Sequence, residues 1–260
     1  MRRLYLAMLM VVGAGSLASG HMLFAVYPEE VVEGSRIDLF ITYGHDVGGD
    51  VVPDLAVARL IHPRGIDDLE LWDEGRGLGG TVEIGDPGCY ILDPQMETTL
   101  FDQAWFGLGG GSSLLPKSGR AIIPVGTGGD CGFASGDGLE IVPRVDMSGI
   151  NRGDRFRAQA LWNGAEVGGD FTGAVLKAPG DLLTVKHAHE YEVEGAASDG
   201  RIEFDLSKPG LWVVSFEATI SESGTWTAEG DDPNGRYRKG DRLDYDRIAP
   251  SAYLTFWVGR

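Results

Sequence analysis

The chain has 260 residues, with 39 acidic against 22 basic side chains, a net charge of -17 at pH 7 and 43% hydrophobic residues. Those proportions are ordinary for a globular chain with a sizeable core. The negative charge argues against nucleic acid or anionic membrane as partners, since both would be repelled.

The chain opens on Met1-Arg2-Arg3, an apolar run over residues 4–14, and the small-residue segment Ser16-Leu17-Ala18-Ser19-Gly20. This pattern reads as a signal peptide over residues 1–20, and its apolar run is too short to span a bilayer. The expectation is therefore export to the periplasm, with no membrane span in the mature chain. Losing Arg2 and Arg3 moves the formal charge from -17 to -19. Cleavage after Gly20 would make His21 the first residue, offering an α-amine and an imidazole to one cation. Cleavage after Ala18 would leave Ser19-Gly20-His21, whose amine, amides and imidazole can wrap a square-planar ion. Nickel(II) and copper(II) both favour such tetragonal nitrogen sites.

Beyond the leader, residues 36–43, 56–62, 81–84, 155–162, 201–206, 211–219 and 252–258 read as strands. They are short, rich in β-branched and aromatic residues, and bounded by Gly, Asp and Pro. No stretch has the periodicity of an amphipathic helix of normal length. The fold class expected is all-β, with two immunoglobulin-like or transthyretin-like sandwiches over 21–110 and 138–260. Glycine, 40 of 260 residues, clusters in tracts such as Gly107-Leu-Gly-Gly-Gly111 and Gly126-Thr-Gly-Gly-Asp-Cys-Gly132. Residues 111–137 are therefore expected to be a Gly-rich linker. Cys89 and Cys131 most simply form a disulfide in an oxidising compartment, a pair of thiolate ligands being the lesser option. The charged stretch 221–246 reads as an exposed loop or hairpin. It does not complete a calcium-binding helix-loop-helix pattern.

Several segments together resemble a family of exported proteins of unknown function described as periplasmic components of cobalt/nickel transport systems. They are the start His21-Met-Leu-Phe-Ala-Val-Tyr-Pro28, the strand over 37–43 running into Gly44-His45, Leu139–Pro143, and Gly153-Asp-Arg-Phe156 leading to Asn163-Gly164. Asp199-Gly200-Arg201, Lys208-Pro-Gly-Leu-Trp212 and Tyr253-Leu-Thr-Phe-Trp257 complete the set. Family members commonly have proline and an aromatic after the second histidine, where this chain has Asp46-Val47. The resemblance implies a metal-related periplasmic role, with His21 and His45 matching the family's histidines. It also implies nickel(II) or cobalt(II) as the ion, copper(II) being a further option, and an inner-membrane metal transporter as partner.

His187-Ala188-His189 is a further candidate ligand pair, because residues two apart on a strand share a face. His62, before Pro63, reads as a strand-end surface residue. The leading expectation is a non-enzymatic metal-capture or delivery protein. The alternatives are a copper enzyme built on an N-terminal histidine brace, and a secreted structural or adhesive sandwich module. No nucleophile elbow, phosphate loop or zinc-protease motif is present.

Overall fold

The computed structural model describes residues 21–46, 48–127, 129–178 and 190–260. The expected signal peptide and the His187/His189 pair lie outside the described residues. Among them, the only helix is a single 3₁₀ turn, Gln103–Phe106, and every other element is a strand. Among the described residues, no helix is long and apolar enough to cross a membrane.

The centre is an eight-stranded sheet. Its strands run Tyr191–Ala197, Gly169–Lys177, Gly210–Ala218, Ser251–Val258, Lys117–Val125, Gly88–Met96, Leu55–His62 and Gly65–Asp68 in spatial order. Neighbours are antiparallel except at Lys117–Val125 and Ser251–Val258, which pair in parallel. A four-stranded sheet of Met22–Val26, Arg36–Gly44, Leu78–Glu83 and Leu71–Asp73 covers one face. A second small sheet, built on Leu139–Pro143, Arg155–Trp162, Ala165–Glu166 and Arg201–Asp205, covers the other. The chain is thus an all-β protein with sandwich packing on both faces of a shared sheet.

Successive side chains on a strand point to opposite faces, so the central strands divide their residues between two cores. Ile91, Ile122, Trp212, Val214, Leu254 and Phe256 join the core under the second cover sheet. Their immediate neighbours Leu92, Ile123, Val213 and Tyr253 join the core under the first. A strand buried on both sides reads as an unbroken apolar run rather than an alternation, as Ala121-Ile-Ile-Pro-Val125 and Leu211-Trp-Val-Val214 do. In the second core Phe156 stacks on Phe256 at 4.9 Å between ring centroids, and Phe204 stacks on Trp212 at 5.7 Å. The Trp212 indole N–H donates to the Lys208 carbonyl at 2.9 Å.

This arrangement corrects the expected linker. Residues 117–125 of the glycine-rich region form a central strand with Ala121, Ile122 and Ile123 fully buried, and Leu139–Pro143 is a buried strand as well. The two halves of the chain therefore share one sheet. Turn residues dominated the sequence on either side and hid the apolar run between them. Within the region, Cys131 is bonded to Cys89, with Cα atoms 5.3 Å apart, as expected. The charged stretch forms the hairpin Gly224–Thr227 with Arg242–Tyr245. Its Trp226 and Tyr245 pack with Trp105 around a small separate core of Leu100, Ala228 and Tyr237.

Candidate metal centre

Residues 22–26 alternate little because the strand faces both the central sheet and its own layer, and four of its five residues are buried. It pairs antiparallel with Arg36–Gly44, matching Met22 with Gly44 and Leu23 with Tyr43. One step further along that register sets His21 opposite His45. Cross-strand neighbours approach closely enough for their side chains to touch, and the two imidazole rings stand edge to face with centroids 4.4 Å apart.

The chain then turns back on itself, and Val51 bridges to Tyr43 through an N–H donated to the Tyr43 carbonyl at 3.2 Å. Two glycines make this return possible. Gly49 has φ +71°, a conformation costly for residues bearing a Cβ, and a Cβ there would overlap Thr42 Oγ1 and the Arg76 carbonyl. A Cβ on Gly44 would lie 2.7 Å from the Asp50 backbone nitrogen. The loop consequently folds Asp50 onto His45, where Asp50 Oδ2 accepts the His45 backbone N–H at 2.9 Å and lies 2.6 Å from His45 Nδ1. His21 Nε2 is 3.8 Å from the same oxygen. His45, by side-chain hydrogen bond and then by its backbone N–H, holds the Asp50 carboxyl below its ordinary value.

Among the described residues, His21, His45 and Asp50 are the one group of three such side chains whose donor atoms converge, all within 4.8 Å of one another. They are partly open to solvent, with side-chain exposures of 31%, 30% and 40%. Two nitrogens and a carboxylate oxygen suit a divalent transition metal. Behind them, Tyr43 presents its ring to His21 at 5.1 Å between centroids. The Lys117 ammonium sits over that ring, 4.6 Å from its centroid, and donates to its hydroxyl. The Tyr253 hydroxyl donates to the His21 carbonyl at 3.5 Å, anchoring the first residue of the site to the central sheet.

The structure thus brings His21 and His45 together and adds Asp50, which sequence reasoning missed. The signal that could have found it is the pair of glycines at 48 and 49, marking a turn tight enough to return the chain to His45. His62 is at its strand end as expected but is mostly covered, 3.0 Å from Asp67 Oδ2 and stacked over Tyr90. It ends a strand of the central sheet, whereas His21 and His45 flank paired strands of the first cover sheet.

A family model for a domain of unknown function, DUF4198, matches residues 18–220. The chain belongs to this family. The match takes in all three converging side chains and ends before the hairpin of residues 224–245. No curated protein matches the chain. Among solved structures it is similar to a DUF4785 family protein from Legionella pneumophila, at 10% identity and TM-score 0.28, covering 74% of this chain. The chain spans about half of that protein, 51% of its length. It is also similar to fibronectin(III)-like modules of CbhA from Clostridium thermocellum, at 9% identity and TM-score 0.23, covering 90% of this chain and 94% of that one.

Proposed function

We propose that this protein is a periplasmic, non-enzymatic metal-binding accessory protein that captures or delivers nickel(II) or cobalt(II) for an inner-membrane transporter. The convergence of His21, His45 and Asp50 is the observation that carries the reading. Two imidazoles that neighbour each other across a strand pair, with a carboxylate folded onto them by a glycine turn, make a preorganised donor set. The acidic surface favours accumulation of cations near it. The export signal and the family resemblance support the compartment and the transport role.

Calorimetric titration of nickel(II) and cobalt(II) into the protein tests this. Binding of one ion, abolished by His21→Ala and weakened by His45→Ala and Asp50→Ala, is the expected result. Absence of saturable binding by the native protein removes the proposal. The second reading, a copper enzyme on a histidine brace, draws on Tyr43, an aromatic ring standing beside the histidine pair. Oxidase activity of the copper-loaded protein, abolished by His21→Ala, would favour it over delivery.

A further inference from the structure

We infer that the ion is held by side chains alone, through His21 Nε2, His45 and Asp50, and that the main-chain nitrogens at and before His21 take no part in coordination. The inference rests on the metal-binding reading above and specifies its cargo as a hydrated divalent ion that keeps open coordination positions.

The orientation of His21 carries it. A chelate closed between an α-nitrogen, or the amides preceding it, and the imidazole of the same residue must use Nδ1. That is the ring nitrogen next to Cγ, and it alone closes a small chelate ring. The lone pairs of Nδ1 and Nε2 diverge across the imidazole, so one ring cannot give both nitrogens to one ion. Here the atom turned toward Asp50 is Nε2, at 3.8 Å. An ion shared with Asp50 and His45 therefore sits on the far side of the His21 ring from its own backbone. The His21 carbonyl accepts from Tyr253, and the chain enters the paired strand Met22–Val26 one residue later, so the backbone is held on the side of the ring away from Asp50. His45, by contrast, offers Nδ1 on the same side as its backbone N–H, and the Asp50 carboxylate meets both.

Two imidazoles and one carboxylate leave positions free on a five- or six-coordinate ion, whereas amine and amide nitrogens impose a square plane. The difference matters for delivery. Nickel(II) in an amine–amide plane is low-spin and slow to exchange, while nickel(II) with water in its open positions is high-spin and can be passed on by replacement of those waters. The partial exposure of all three side chains leaves that open side facing solvent.

The test compares chains beginning at His21, at Ser19 and at Ser16, each titrated with nickel(II) and examined by proton NMR for paramagnetic shifts. The inference expects the same affinity within about threefold for the three chains, paramagnetic nickel in each, and at least about a tenfold loss on Asp50→Ala. Asp50→Asn, which retains an oxygen to accept the His45 N–H, checks that the loss is not a failure of the loop to fold. Diamagnetic nickel, or affinity that falls about tenfold or more when residues 16–20 are retained, overturns the inference while leaving metal binding in place. No nickel binding to any of the three chains overturns both.

Discussion

Replacing Glu140 with alanine should cost this protein more than almost any other single polar substitution. Glu140 lies on Leu139–Pro143, a buried strand of the second cover sheet, and its side chain and that of Arg120 are 2% and 3% exposed. Its Oε1 accepts from the Arg120 guanidinium and from the backbone and hydroxyl of Ser135, and its Oε2 accepts the Gly136 N–H at 2.9 Å. Ser135 and Gly136 lie on a partly exposed loop, so water can replace the glutamate for them. Arg120 cannot be rehydrated in place. It would keep only the Phe133 carbonyl at 2.7 Å and an ion pair with Asp93 at 3.6 Å. Removing one partner of a buried ion pair typically costs about 3–5 kcal/mol, and that is the loss expected in urea unfolding with the disulfide intact. The double variant Arg120→Met with Glu140→Leu should recover most of it, because the one buried charge that remains in the cluster, Asp93, keeps its Arg59 partner at 2.6 Å. A loss below about 1 kcal/mol for Glu140→Ala, within the range of exposed ion pairs, would refute the argument.

Cleaving the Cys89–Cys131 bridge releases a loop of 42 residues. Chain entropy values that constraint at about 4 kcal/mol, so Cys89→Ser with Cys131→Ser should lower the melting temperature markedly, and an unchanged melting curve would contradict it. Trp212→Ala should destabilise by about 3–5 kcal/mol in chemical denaturation, as a fully buried aromatic removed from a packed core. Gly49→Ala should weaken nickel(II) binding while leaving the far-UV spectrum unchanged, since the added Cβ meets Thr42 Oγ1 and the Arg76 carbonyl and displaces the turn that carries Asp50, without meeting an apolar residue of either core. The lowered pKa of Asp50 means that its stabilising contact is complete above the unfolded-state carboxylate value and is lost as pH falls through the folded value. Its carboxylate thus stays charged near neutrality.

Much of the fold was legible because half-buried strands write their alternation into the chain. The segments 36–43, 155–162 and 201–206 each show it and each is a strand. Shared burial was harder to read. Strands such as Lys117–Val125 and Gly88–Met96 carry apolar residues on both faces, so the period of two vanishes, and in a glycine-rich context the first of them resembled a linker. Strand order was also hidden, since the pairing of Lys117–Val125 with Ser251–Val258 joins segments more than a hundred residues apart. The histidines of the candidate site could be picked out by residue type and by family resemblance. Asp50 was signalled only indirectly, by the Gly48-Gly49 turn beside it, and only the folded loop gives its oxygen to His45. The pairing of buried Arg120 with Asp93 and Glu140 leaves no mark in the sequence either, because pairing is a tertiary property.

The central claim is that His21, His45 and Asp50 together hold one transition-metal ion. Isothermal titration of nickel(II) into the chain beginning at His21, run beside its His21→Ala and Asp50→Ala variants, tests it most directly. One saturable site in the native protein, lost without His21 and weakened at least about tenfold without Asp50, is the result this account predicts. Equal affinity in all three proteins would contradict it.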